Sequence, residues 1–188
     1  PDGDQVYISR SIVLLTGTGM AKKTVHRSHW QTQLIEVIDD GNTRSLYFGG
    51  QVLQSSMYLS APQKLALSYT RFMAASLLID DEPEKILVVG VGAGSLVRFF
   101  HNHFPKARID GIDYSSEVID LARSHFHLPF SSNVTIHCSS GYQFLADRID
   151  EANYDLILID AFDTAGMSKE IYSGPFFELC LDHLALSG

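Results

Sequence analysis

The chain has 188 residues, of which 45% are apolar and 19% charged, and its formal net charge is −8. This is the balance of one folded domain with a full core and a small appendage, and it carries no signature of disorder. An acidic surface repels phosphate backbones, so nucleic acid is excluded as the expected main partner, whereas a cationic substrate is tolerated.

Residues 1–60 read as a β-strand and hairpin module, and residues 61–188 as a Rossmann-like nucleoside-binding domain. Val6 to Leu15 is a β-prone run that ends at the turn cluster Thr16-Gly17-Thr18-Gly19. Gln33 to Ile38, then Asp39-Asp40-Gly41-Asn42, then Thr43 to Phe48 spell a hairpin, with Asp-Gly supplying the tight turn. Trp30 is expected in the hairpin core. A further strand pair begins at Gln51 to Gln54. After Pro62 the spacing predicts a helix over Gln63 to Ile79, with Leu65, Tyr69, Phe72, Met73, Ser76 and Leu77 on one face.

From Lys85 the pattern becomes alternating strand and helix. Ile86 to Val89 is a continuous apolar run of the kind that a strand buried on both faces requires. A glycine turn and a helix over Ser95 to Asn102 follow. Arg108 to Ile112 is the second strand, Ser116 to His125 a helix, Val134 to His137 the third strand and Gly141 to Ile149 a helix. Tyr154 to Ile159 is the fourth strand and Tyr172 to Leu184 the last helix. Repeated units of this length predict an α/β fold with a doubly wound, mostly parallel sheet, and right-handed crossovers place every strand's carboxyl end on one edge. The sequence starts at Pro1-Asp2-Gly3 without an initiator Met, and stops just after a helix. The expectation is therefore that further C-terminal strands lie beyond it.

Four tips on that edge carry chemistry. Gly90, Gly92 and Gly94 form a G-x-G-x-G turn between the first parallel strand and its helix, where backbone can approach a ligand and helix N–H groups point at it. Asp113 ends the second strand, 23 positions beyond Gly90, where a carboxylate accepts ribose hydroxyls; capping the next helix is the plainer role, and Asp110 is the fallback. Asp160 and Asp163 follow the fourth strand, where two carboxylates hold a cationic amine or take its proton, or build a turn. Ser140, after the third strand, either borders a base or caps a helix.

Cys138 and Cys180 read as reduced thiols of a cytoplasmic protein. No apolar run approaches the ~20 residues of a membrane helix. The pairs His101/His103 and His125/His127 point apart on helices, and no acidic or cysteine partner has metal-site spacing, so no metal is expected. The hairpin edges suggest a homodimer.

These residues resemble the polyamine aminopropyltransferase family, of which spermidine synthase is the best-known member. The likeness runs from Leu46 to Gly188. It rests on Leu46-Tyr47-Phe48-Gly49-Gly50, on Gln54 and Tyr69, on Gly90-Val91-Gly92-Ala93-Gly94-Ser95, on Gly111-Ile112-Asp113, on Ser139-Ser140-Gly141, on Asp160-Ala161-Phe162-Asp163-Thr164, and on Glu170 to Phe177. Where the family has a loop Asp, a ribose Glu, an adenine-side Asp and a His-Glu pair, this chain has Ala93, Gly111, Ser140 and Thr70-Arg71.

The resemblance implies an adenosylmethionine-methyltransferase type of fold and a cofactor that is S-adenosylmethionine or its decarboxylated form. The cofactor would lie against Gln54, Gly90, Gly92, Gly94, Asp113 and Ser140. Aminopropyl transfer to a polyamine, with methylthioadenosine as product, would use Asp160, Asp163 and Tyr69. One alternative is methyl transfer to a small molecule, which yields S-adenosylhomocysteine. The loss of the loop Asp favours it; Val88, where methyltransferases often carry an acid, opposes it. The other is a non-catalytic relative that binds a nucleoside or acts as a scaffold.

Overall fold

The structure, a computed structural model, describes residues 22–50, 52–148, 154–163, 166–167 and 170–185, with side chains left aside at 162–163 and 166–167. The expected strand at Val6 to Leu15 and the turn after it lie outside the described residues.

Four antiparallel strands come first: β1 (Lys23–Trp30), β2 (Gln33–Asp40), β3 (Thr43–Phe48) and β4 (Val52–Tyr58), in the spatial order β1-β2-β3-β4. The β2–β3 hairpin closes with Asp40 opposite Thr43, so its loop is Gly41-Asn42, and the positive φ of +59° falls on Gly41. The β3–β4 register slips between Leu46 and Tyr47. Leu46 faces Ser55 and Tyr47 faces Leu53, which leaves Gln54 as the extra residue of a β-bulge.

The predicted helix over 63–79 is a shorter object. Leu65 pairs back to Met57 as an isolated β-bridge, which holds this stretch out of a helix. Only α1 (Ser68–Met73) is α-helical, and a 3-10 turn continues it through Ala74–Leu78. The expected apolar face is split accordingly. Leu65, Met73 and Leu77 pack on the core, Tyr69 turns to a cavity, and Phe72 is 79% exposed.

The second sheet is parallel: β5 (Lys85–Val89), β6 (Arg108–Asp113), β7 (Val134–Cys138) and β8 (Leu156–Ile159), in the order β7-β6-β5-β8. Helices α2 (Ser95–His103), α3 (Ser116–His125), α4 (Gly141–Ala146) and α5 (Gly174–Asp182) connect or follow these strands. Two-residue strands β9 (Phe162–Asp163) and β10 (Gly166–Met167) pair after β8. The pleat of β5 divides the core. Ile86 and Val88 join Leu96, Val97 and Phe100 of α2 on one face, and Leu87 and Val89 join Phe144, Leu145 and Phe176 of α4 and α5 on the other.

Boundaries moved where caps and bridges decide. Tyr154 is an isolated bridge to Leu184 rather than part of β8. The last helix starts at Gly174, because Ser173 accepts the Phe176 N–H at 3.3 Å and Pro175 fits the first turn. Helix α4 ends at Ala146.

The antiparallel sheet packs onto this unit. Ile35, Val37, Leu46, Phe48 and Met57 share one cluster with Ala93, Val118, Leu121 and Phe126, so it sits on α3 and on the glycine turn. That contact brings β3 and β4 beside the carboxyl edge of the parallel sheet.

Candidate active site

The chain runs from β5 outward to β6 and β7, then returns to β8 on the other side of β5. The tips of β5 and β8 therefore flank a topological switch point, where crossovers diverge and leave a crevice. A cavity of about 650 Å³ opens there. Gly90, Gly92, Asp113, Ser140, Asp160, Tyr69 and Gln54 all line it.

At the tip of β5, Gly90 and Val91 donate their N–H groups to the Ile112 carbonyl at 2.8 and 3.1 Å, and Asp160 donates its own to the Val89 carbonyl at 2.7 Å. Gly90 has φ +94°, and a Cβ there would fall 2.2 Å from the Asp160 carbonyl oxygen. Only a residue without a side chain lets these two tips meet. Gly94 belongs to the turn but not to the cavity. It is the N-cap of α2, and a Cβ on it would meet Leu128 at 2.6 Å.

Asp113 is buried. Its Oδ2 accepts the Gly92 N–H and its Oδ1 the Ser115 N–H, both at 3.0 Å. It thus ties the glycine turn to the start of α3, where Ser115 is the cap and accepts the Val118 N–H at 3.2 Å. Burial pushes its pKa up, while the N–H groups of Ser115, Gly92, Val91 and Tyr114 pull it down. Asp110, the fallback, faces away from the cavity. It is bound by the Tyr154 hydroxyl at 3.2 Å and lies 3.0 Å from His137 Nε2.

Asp160 has a different setting. It is half-buried at the tip of β8, and among the described residues its side-chain partner is the Tyr69 hydroxyl, which donates to Oδ2 at 3.2 Å. Burial raises its pKa from 3.8 to about 7, with Tyr69 pulling in the opposite sense. Burial and the neighbouring carboxylate in turn raise the Tyr69 pKa above the usual phenol value. The backbone of Asp163 pairs with Gly166 in the β9–β10 ribbon; its side chain lies outside the described residues. Ser140 caps α4, its Oγ accepting the Gln143 N–H at 3.1 Å, and it also lines the cavity.

Four contributors were missed in the sequence. Ser55 reaches the glycine turn, its Oγ accepting the Ala93 N–H at 3.3 Å. The bulge at Gln54 puts both Gln54 and Ser55 on the cavity. Tyr114 and Glu170 line it as well. The buried Arg98 braces the turn from behind, donating to the carbonyls of Ala93, Phe126 at 2.6 Å and Pro62 at 3.0 Å. Burial lowers its pKa to about 10. Adjacency to Gly94 and Asp113 in the sequence was the available signal for Arg98 and Tyr114. Among the described residues no group of three or more His, Cys, Asp or Glu side chains is placed to hold a metal, and no helix is long and apolar enough to cross a membrane.

Fold and cavity together define a doubly wound α/β domain with an adenosylmethionine-methyltransferase type of fold and a site at the switch point. Residues 66–188 match the family described as spermine/spermidine synthase domain, and the chain belongs to that family. It is 36% identical over 155 residues to the polyamine aminopropyltransferase of Chromobacterium violaceum, covering 82% of this chain and 59% of that protein. A probable spermidine synthase from Corynebacterium glutamicum superimposes with a TM-score of 0.72 at 25% identity, over 87% of this chain and 60% of that one. Human methyltransferase-like protein 13, in complex with SAH, gives 0.58 at 27% identity, over 65% of this chain and 63% of that one. The chain spans about 59% of the length of the curated aminopropyltransferase it matches.

Proposed function

We propose that this chain carries the nucleoside site and the proton acceptor of a spermidine synthase-like transferase, moving an aminopropyl group from decarboxylated S-adenosylmethionine to an amine. The observation that carries the reading is Asp160. It is a carboxyl group at the switch point, on the cavity wall, hydrogen-bonded by Tyr69 and raised by burial to about 7. A group that titrates near neutrality accepts a proton and releases it again without a large driving force.

The cavity suits the ligand: a glycine turn for close approach, Asp113 and Ser140 on the wall towards β6 and β7, and Asp160 at the other end. The ligand supplies an electrophilic carbon beside a sulfonium. The amine nitrogen forms the new C–N bond, the C–S bond breaks, its electron pair leaves with sulfur as a neutral thioether, and Asp160 takes the amine proton. Tyr69 holds the carboxyl group in place, and Gln54 stands where the bulge turns it to the cavity. Most of the rate gain would come from alignment and from an unprotonated nucleophile.

The test is transfer from decarboxylated S-adenosylmethionine to putrescine and other diamines, followed as methylthioadenosine release. Turnover is expected with the parent and a loss of about 10²–10⁴-fold with Asp160→Asn. Undiminished turnover in that variant removes the acceptor role.

One observation favours methyl transfer as the second reading. Ala93, at the loop position where the family has Asp, is fully buried against the apolar cluster that includes Val118 and Leu121. The turn thus offers no carboxylate to a cofactor amine, and a neighbour at 27% identity is a methyltransferase-like protein. Calorimetric titration with the two cofactors in parallel separates the readings, since tighter binding of the carboxylated form supports methyl transfer.

We also propose a homodimer formed through the edges of the antiparallel sheet, β1 and β4, beyond which no further strand of the sheet stands among the described residues. Light scattering that shows only monomer at high concentration overturns it. The free thiols Cys138 and Cys180 support placement in the cytoplasm.

A further inference from the structure

A second cavity, of about 390 Å³, shares no lining residue with the first. Its polar wall is Gln63, Arg98, His101, Asn102 and His127, and the rest of it is proline. The three chain segments that meet there are free of acid. No Asp or Glu stands between Asp40 and Asp80, between Glu84 and Asp110, or between Asp120 and Asp147, although the chain has 22 such residues and a formal charge of −8. Lys64 and Lys106 adjoin the lining residues Gln63 and Pro105 in sequence. An acidic protein thus keeps one concave wall whose ionisable groups are all basic.

Helix α2 sets out these groups. Arg98, His101 and Asn102 stand at i, i+3 and i+4, which is one face of the helix. Arg98 is 5% exposed and still carries its charge at neutral pH, since burial lowers its pKa only to about 10. Among the described residues its acceptors are the carbonyls of Pro62, Ala93 and Phe126 and the hydroxyl of Ser95, which are dipoles and not counter-charges. His101 Nδ1 is buried without a hydrogen-bond partner among the described residues. An orphaned lone pair costs less than an orphaned N–H, so the ring proton belongs on Nε2, which makes that atom a donor. His127 comes from the end of α3. There the Leu128 N–H donates to the Ala122 carbonyl at 3.1 Å, and His127 takes the left-handed cap position with φ +54°. That position favours glycine, and this chain places an exposed imidazole there instead.

We propose that this second cavity binds a phosphate group, as the free anion or as a phosphate ester, through Arg98, His101 and His127. The anion supplies the negative charge that the wall lacks, and hydrogen bonds from charged donors to its oxygens are the strong kind. The prolines give the organic part of an ester an apolar seat. Arg98 also holds Ala93 and Ser95, so the anion stands one side chain away from the glycine turn. The proposal is independent of the transferase reading, because none of these residues lines the first cavity.

The full chain is titrated by calorimetry with inorganic phosphate and with glycerol 3-phosphate, against sodium chloride at equal ionic strength. Saturable binding is expected, with a matching rise in unfolding temperature. Tighter binding of the ester assigns the prolines to an organic group, and equal binding assigns the site to free phosphate. Asn102→Asp puts an acid of nearly the same shape on the wall. Its side chain is exposed, so the variant should unfold near the parent temperature in the absence of phosphate. Phosphate affinity should fall by roughly ten-fold or more, from charge repulsion alone. Asn102→Ala, which adds no charge, should lose far less. Equal affinity in Asn102→Asp and the parent overturns the proposal, as does the absence of saturable binding. The glycine turn is the competing seat for an anion, because α2 begins there. Phosphate binding should therefore persist at saturating methylthioadenosine, and displacement by the nucleoside would place the anion in the first cavity and overturn the proposal. A chain that binds phosphate in this way but neither binds nor turns over an adenine nucleoside keeps this site and loses the transferase reading.

Discussion

Asp113 and Asp160 stand at the tips of β6 and β8, the two strands that flank β5, and burial raises both carboxyl pKa values. Their surroundings differ in kind. Asp113 is held by backbone N–H groups from two loops, which stabilise its charge and fix its position. Asp160 has one hydroxyl from Tyr69 and a cavity in front of it. The first carboxylate is built into the frame of the site, since moving it unlatches the glycine turn from α3. The second has one side-chain partner among the described residues and a pKa near neutrality, the condition of a group that exchanges a proton with something that enters. One strand edge thus supplies both a structural and a reactive carboxylate, and the number of fixed N–H donors around each decides which is which.

The sharpest way to break this contrast is to disturb the frame where both tips meet. Gly90→Ala places a Cβ 2.2 Å from the Asp160 carbonyl oxygen at a φ of +94°. We expect a stability loss of about 3 kcal/mol or more, with nucleoside affinity lost as well, measured by thermal unfolding and calorimetry. Gly92→Ala is the control. Its nearest neighbour is Ser55 Oγ at 3.3 Å, so it should cost only the strain of a positive φ, about 1–2 kcal/mol.

Asp113→Ala comes next. It leaves the Gly92 and Ser115 N–H groups without their acceptor, and water in the cavity replaces only part of it. A loss of about 2 kcal/mol is expected from thermal unfolding. If Asp113 were instead a free ribose ligand with no part in the frame, the variant would lose affinity at unchanged stability.

How far the sequence revealed this contrast depends on how local each cause is. Ile86 to Val89, the glycine turn and the helix start at Ser116 are local patterns, and all three stand where they were expected. The helix over 63–79 was not legible, because the bridge from Leu65 to Met57 overrides its periodicity. The bulge that leaves Gln54 as the extra residue of β4 depends on its pairing with β3, which no local pattern spells. Asp110 and Asp113 look alike in sequence. Their roles separate only because Tyr154, 44 positions later, binds one and the glycine turn binds the other.

Asp160 makes a prediction in pH. Its carboxyl group titrates near 7 in the folded chain and near 3.8 when free. Between those values the native state keeps a proton that the unfolded chain has lost, so stability is expected to fall as pH rises from about 4 to about 7 and then to level off. Solvent in the cavity screens the effect, which leaves on the order of 1–2 kcal/mol. Turnover should move the opposite way, rising through about pH 7 as the acceptor loses its proton. Asp160→Asn should lessen the slope of the parent's stability profile between those limits, leaving the part of the same sign that Asp113 contributes. An unchanged slope in unfolding temperature against pH would assign the titration to other groups.

Tyr69→Phe is the mildest change and the most specific to the comparison. It removes one hydroxyl from a residue that is already 40% exposed, so stability should change by about 0.5–1.5 kcal/mol at most. Its informative effect is on Asp160. The Tyr69 hydrogen bond favours the charged carboxylate, so deleting it raises the Asp160 pKa further above 7. The rising limb of the pH–rate profile should therefore shift to higher pH, with the plateau rate above it largely retained. The same substitution leaves Asp113 untouched, so affinity for methylthioadenosine should stay close to that of the parent. A shift of the profile without a change in nucleoside affinity is the signature of two carboxylates with separate tasks. A fall in affinity without a shift would mean that Tyr69 belongs to the frame.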